Sequence, residues 1–334
     1  MAALFERSQV GKREDLADYI TLVDAKDTPA TSMIPKGNKP GNTLLSWQVD
    51  NMPSPSVAGS VDGLDVSAYE NLNEGRAKLS NYIQVFQRAI RVSPLSVDVS
   101  IVAGLRDELA GMVAKSIKVL KRDMEKTVCG DADMQADAGV VESVPTPYLT
   151  RALGSWINNS AQSTNPVPSA YRTPSASINT TVTGSFAETD AQAVLTSIYN
   201  ETGQMKTFDT VVGPTLKRAF SNLLYTATQL STPTANTFAS VRTLNRDAFS
   251  DTISSSVDLF EGDFGSLRLH PTLFNFNAFR GYVLDMDLLE LRYTNLPEVT
   301  ELPNAGGGPA RLIKAVAGLV CKNPLGLGKF SASS

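Results

Sequence analysis

A single histidine, His270, limits the chemistry open to this chain of 334 residues. General acid–base catalysis near neutral pH relies first on imidazole. His270 ends the strand-like run Leu267-Arg268-Leu269-His270, directly before Pro271, so a structural role is expected of it. The acids Asp131, Asp133 and Asp137, followed by Glu142, faintly echo the ligand spacing of a calcium loop. Its fifth position is Gln135, however, and its sixth, where the sharp turn demands glycine, is Ala136. A solvated acidic loop without a metal is the expectation. Cys129 and Cys321 are too few for a disulfide framework and too far apart for a zinc knuckle. Each reads as a small buried hydrophobe. The glycines at 306–308, 326 and 328 do not form a phosphate cradle, and neither a G-x-S-x-G elbow nor an H-E-x-x-H pair occurs. The residues therefore predict no enzyme, no cofactor and no metal site.

The elements between these residues are more informative. Residues 1–40 read as an arm, with a short amphipathic piece at Arg13–Leu22 and the turn-rich run Pro35–Gly41, too poor in apolar area to fold alone. Two strands of mixed aromatic and β-branched composition follow, Thr43–Val49 and Asn81–Val92. The Pro-, Ser- and Gly-rich stretch Met52–Gly75 between them is too long for a connection inside one compact domain, which predicts a projecting two-stranded loop. Ser93 to Cys129 predicts a long helix. Leu105, Leu109, Met112, Ile117, Leu120, Met124 and Val128 form its apolar stripe, Lys115, Lys118, Lys121, Arg122 and Lys126 its basic face, and Gly130 its stop.

Residues 145–186, rich in Ser, Thr and Asn around Trp156 and Ile157, read as an insertion or surface flap. An α/β-like segment comes next. Helices are expected at Glu188–Thr202 and Pro214–Leu224, and strands at Phe208–Val212, Ser254–Phe260 and Gly265–His270. The last strands fall at Tyr282–Leu284, Leu288–Tyr293 and Arg311–Val320.

Composition narrows the class of protein. Apolar residues reach 42 %, enough for a substantial core, whereas charged residues are only 19 %, below the roughly 25 % usual for soluble domains. Pro, Ser, Thr and Asn make up the difference, as ordered loops and arms require. A formal net charge of −4 argues against a dedicated nucleic-acid binder. Met1–Tyr19 lacks the apolar core of a signal peptide, and no apolar run is long enough to span a bilayer. Use in a reducing cytosol, or in a particle built there, is expected.

In several places the residues resemble one family. Asp27-Thr28-Pro29, Trp47, Asn81-Tyr82-Ile83-Gln84-Val85-Phe86 and Leu120-Lys121-Arg122-Asp123-Met124-Glu125 stand in the order found in major capsid proteins of tailed bacteriophages with the Hong Kong 97-like fold. Val212 to Arg218, Asp263-Phe264-Gly265, Tyr282 to Asp285 and Glu290 to Tyr293 are also similar to that family. Each motif is weak alone, and their colinearity gives them weight. Residues 145–186 depart from the pattern.

The resemblance implies an α+β chain with an N-terminal arm (1–40), an extended E-loop (41–92), a peripheral domain holding the spine helix (93–144 and 281–334), the polar insertion (145–186) and an axial domain (187–280). It implies self-assembly into pentamers and hexamers of an icosahedral or prolate shell, located in the virion and enclosing DNA without sequence-specific binding. Portal, separate scaffolding and decoration proteins are implied as partners, with no membrane. Trp47 and Phe86, on the two E-loop strands, are the candidate E-loop anchors, with stapling of that hairpin as the alternative role. Two other functions are weighed against this one: an encapsulin-type nanocompartment of the same fold, and an unrelated metal-dependent hydrolase, which the single histidine disfavours.

Overall fold

The computed structural model describes residues 28–57, 59–63, 65, 69–99, 108–141, 144–181, 185–223, 257–275, 277–304 and 306–331. The amphipathic piece expected at 13–22 lies outside them. A short helix α1 (Pro29–Met33) precedes strand β1 (Leu44–Val49), which pairs antiparallel with β2 (Ala77–Tyr82) and sets Trp47 opposite Leu79. The single strand expected over 81–92 is corrected: β2 ends at Tyr82, and β3 (Gln84–Arg91) joins a different sheet. No glycine or proline marks the corner. Ile83 makes it by turning into a cluster with Leu45, Val316 and Val320, while its N–H bonds the Thr43 carbonyl at 3.0 Å.

The helix expected over 93–129 is found as α2 (Pro94–Val99) and α3 (Glu108–Val128), with 100–107 outside the described residues. At 21 residues, α3 is about 31 Å long. Its C-terminal half buries Leu120, Met124 and Val128 in the main core, while Lys115, Lys118, Lys121 and Lys126 stay exposed. A bidentate pair from Arg88 to Asp123, 2.8 Å at both nitrogens, ties β3 to this helix.

The segment read as a surface flap is interior instead. After the small hairpin β4 (Gly139–Val141) and β5 (Val144–Thr146), the one-turn helix α4 (Leu153–Trp156) places Leu153, Trp156 and Ile157 in the main core, joined by Val167 and Tyr171. Several of its polar residues, among them Thr150, Arg151, Gln162, Thr173 and Ser177, are buried and paired. Thr173 donates to the Pro324 carbonyl at 3.0 Å, and the Ser177 and Ser197 hydroxyls lie 2.8 Å apart. A polar group that finds a partner loses little on burial, so composition alone misplaced this stretch.

The remaining elements are β6 (Ile178–Asn179), α5 (Glu188–Thr202), β7 (Lys206–Val212), α6 (Pro214–Leu223), β8 (Leu259–Gly262), β9 (Gly265–Pro271), β10 (Gly281–Leu284), β11 (Leu289–Leu302), β12 (Ala310–Cys321) and β13 (Gly328–Phe330). The strand expected over 254–260 begins only at Leu259, and 254–256 lie outside the described residues. β11 runs on to Leu302, beyond the expected end at Tyr293, because β12 pairs with it along that whole length. Helix α5 ends on Gly203, whose φ of 66° is the left-handed conformation glycine adopts without strain.

Three strands form the sheet β11-β12-β3, over which the spine helix packs. Six strands form the sheet β6-β13-β10-β7-β9-β8, covered by α5 and α6 through a second core that includes Leu195, Ile198, Phe208, Leu216 and Phe220. The boundary expected at 280/281 falls inside this sheet, since β10 and β13 pair into it with β7. Sheet and spine meet at Tyr282 on β10, whose hydroxyl donates to the Cys129 carbonyl at 3.0 Å. Beside it, the Lys329 ammonium on β13 donates to the Gly154 carbonyl at 3.0 Å.

Candidate assembly surfaces

Residues 50–76 leave the body between β1 and β2. Arg76 pairs with Asp50 at 3.2 Å across the root, and Gly75 lies so close to Asn51 that a Cβ there would meet its side-chain amide. Past the root, Met52, Val57, Val61, Tyr69 and Leu72 are 63–104 % exposed. Single exposed hydrophobes are ordinary, but a group of them on one loop marks a surface made for contact. Between Asn51 and Gly75 the only charged residues are Asp62, Asp65, Glu70 and Glu74, with no lysine or arginine. Sequence reasoning missed these apolar residues. The available signal was the presence of seven large apolar residues, Met52, Val57, Val61, Leu64, Val66, Tyr69 and Leu72, in a stretch with no helical or strand period to bury them.

The two predicted anchors lie at the other end. Trp47 is half-buried, donates from Nε1 to the Lys322 carbonyl at 3.3 Å, and meets Trp156 with ring centroids 5.6 Å apart. Phe86 is buried in the main core on β3, paired with Ala315 of β12. The placement of both on one loop hairpin is therefore corrected. Trp47 faces Leu79, and Phe86 belongs to the three-stranded sheet.

The arm segment seats on the spine. Glu125, wholly buried on α3, accepts the N–H groups of Ala30 and Thr31 and the Thr31 hydroxyl, each at 2.8 Å. Burial raises its pKa, although the three hydrogen bonds act the other way. The Lys36 segment then adds to β11, through the Gly37 N–H to the Leu291 carbonyl at 3.1 Å and the Leu291 N–H to the Pro35 carbonyl at 2.8 Å. Arm, spine and β11 together line an open groove of about 320 Å³, to which Met124, Tyr293, Lys36 and Lys121 contribute.

The residues considered for chemistry have structural partners. His270 contacts Asp209 at 3.0 Å. The acidic loop is exposed at Asp131 and Asp137, and two of its acids are also paired: Asp131 with Arg280, and Asp133 with the fully buried Arg151 at 2.7 Å. Cys129 and Cys321 are both buried, and burial pushes both thiols up, the opposite of what a nucleophilic cysteine needs.

The fold is shared with solved phage structures. One from Mycobacterium phage Bobi aligns with a TM-score of 0.60 at 11 % identity, covering 97 % of this chain and 96 % of that one. The capsid structure of Cyanophage P-SCSP1u aligns with a TM-score of 0.59 at 9 % identity, covering 99 % and 97 %. These likenesses show the fold alone, a mixed α+β fold of the kind the resemblance to Hong Kong 97-like capsid proteins led us to expect. The chain belongs to the SU10 major capsid protein family, whose model it matches over residues 4–333. It is also 31 % identical over 148 residues to the major capsid protein of Escherichia phage Phieco32. That match spans 42 % of this chain and 40 % of its relative. A structural shell protein of the virion follows from the family, and neither the nanocompartment nor the hydrolase is favoured.

Proposed function

We propose that this chain is the repeating unit of a phage head, tiling as pentamers and hexamers into an icosahedral or prolate shell around DNA. The observation that carries this reading is the 50–76 loop, whose exposed apolar side chains have no core of their own. Their burial on a second copy would supply roughly 25 cal/mol for each Å² of apolar surface covered. Each contact can be modest, because every subunit is held by several neighbours at once. Charge supports the same arrangement, since the loop beyond its root carries only acids while the spine exposes a row of lysines.

In this reading Trp47 and Phe86 anchor the root of the loop to its own body, the arm segment around Ala30 and Thr31 is pinned to the spine through Glu125, and the two sheets form the tile. Portal, separate scaffolding and decoration proteins are the further partners we assign, on the family likeness alone. A net charge of −4 suits a wall that encloses DNA without gripping it, because extensive phosphate contacts would make release strongly salt-dependent.

The test is deletion of 57–66 in the full chain, followed by electron microscopy. The deleted chain should fold and remain as free subunits. Shells of wild-type size and stability from that variant would show that the loop does not join the copies.

A further inference from the structure

The segment expected to be an insertion does something more specific than fill the core. We propose that residues Tyr148–Tyr171 form a saddle that fixes the direction in which the 50–76 loop leaves the body, with Tyr171 and Asn165 as its positioning residues. This rests on the reading above, in which that loop joins one copy to the next.

The saddle touches the loop's strands at successive levels. Tyr148 packs on Tyr82 with centroids 5.5 Å apart. The Asn81 amide is fully buried and spoken for: its oxygen accepts the Arg151 N–H at 2.7 Å, and its nitrogen donates to the Thr150 hydroxyl at 3.0 Å and the Leu319 carbonyl at 2.6 Å. The Asn165 side chain donates to the Ser80 hydroxyl at 3.2 Å. Furthest out, the Tyr171 hydroxyl donates to the Gly75 carbonyl at 2.5 Å, at the point where the exposed loop begins. On the opposite strand, Trp156 meets Trp47.

The saddle is itself rigid. Arg151, paired with Asp133, lies 4.7 Å over the Trp156 ring, and the other Asp133 oxygen accepts the N–H groups of Ser163 and Thr164 at 3.0 and 3.2 Å. Asn165 is the one non-glycine with positive φ among the described residues, at 40°. Such a conformation costs free energy and persists where surrounding contacts over-determine it; here it carries the side chain that reaches Ser80.

The consequence is one of leverage. An extended strand advances about 3.3 Å per residue, so about 12 residues out and back can carry the tip up to roughly 40 Å from the root. A swing of about 5° at the root then displaces the tip by about 3 Å, more than hydrogen-bond geometry tolerates. The Tyr171 ring serves the core, but its hydroxyl serves only the loop.

Two variants of the full chain test this. Tyr171→Phe keeps the ring and loses one hydrogen bond. Asn165→Gly loses the donor to Ser80 and relieves the positive φ. Both should keep the thermal midpoint within about 2 °C of wild type. Amide exchange at 74–80 in dissociated subunits should rise roughly fivefold, the worth of one hydrogen bond. On assembly, closed particles of a single size should give way to mis-sized shells and open sheets. Unchanged exchange, or wild-type particles from a loosened root, would overturn the saddle. So would a collapsed midpoint in both variants, since these residues would then support the body rather than the loop. Failure of the wild-type chain to form shells would instead sink the shell reading, and the exchange data would still decide whether the saddle holds the root.

Discussion

The Glu125 carboxylate on the spine helix is hydrogen-bonded at 2.8 Å to the backbone N–H of Ala30, 95 positions earlier in the chain. A side chain from one element thereby caps another, because Thr28 at the start of α1 makes no side-chain cap bond of its own. Glu125→Ala strands the buried Ala30 N–H and the half-buried Thr31 N–H, and a buried donor left unpaired costs about 1–3 kcal/mol. The variant should lose about 3 kcal/mol in denaturant unfolding, and the arm should become sensitive to protease near residue 30. Glu125→Gln, which keeps one acceptor, should fall between.

The same residue predicts a pH dependence. Burial raises the folded-state pKa of Glu125 above its unfolded value, so the native chain binds the proton more tightly than the unfolded one. The stabilisation is complete below the ordinary carboxylate range and is lost as pH rises through the folded value. The difference in stability between wild type and Glu125→Gln should therefore shift against wild type from acid toward neutral pH. A difference that is flat with pH would contradict the assignment.

Lys329 acts in an alkaline window. Burial, reinforced by the charge of Arg280, lowers its pKa from 10.5 to about 8. Between those values the unfolded chain holds more protons than the native one, so stability should rise with pH from about 8 toward 10.5, by up to roughly 3 kcal/mol. Lys329→Met should abolish that rise and be no less stable than wild type at pH 7, because a buried charge is replaced by an isosteric apolar chain. Unfolding curves at three pH values suffice.

Trp47 and Phe86 should separate by burial. Phe86→Ala opens a cavity in the main core and should cost about 3–5 kcal/mol. Trp47→Ala should cost less, about 2–3 kcal/mol, because that ring is half-exposed. Both losses should be visible in free subunits, since both contacts lie within one chain.

The exposed loop should show the reverse pattern. Replacing Tyr69 and Leu72 together by serine should leave subunit stability within about 0.5 kcal/mol yet abolish or sharply reduce assembly, as judged by light scattering. Equal losses in both measurements would mean that the loop packs on its own body.

Where local pattern decides structure, it could be read directly. The helix predicted at Glu188–Thr202 has those bounds, and β7, α6 and β9 lie within two residues of their expected ends, because each has one apolar face and a clear stop. The corner at Ile83 could not be read, since its cause is a pocket built by β12, more than 200 positions away. Residues 145–186 were misjudged for a related reason: Thr150, Arg151 and Thr173 have the composition of a solvated loop, and nothing local shows that their partners are Asn81, Asp133 and Pro324. Trp47 and Phe86 were found through their size and aromaticity. Their division between two sheets depended on the register of β12, which the sequence does not display.

The bond from Tyr282 to Cys129 has a mechanical consequence. It bolts the middle of the six-stranded sheet to the end of the spine, so these two parts turn as one plate rather than about a hinge. A closed surface built from identical plates must still bend by different amounts at its vertices and on its faces. In the proposed shell, that bending would fall to the strap at 50–76, whose exposed side chains have no core of their own.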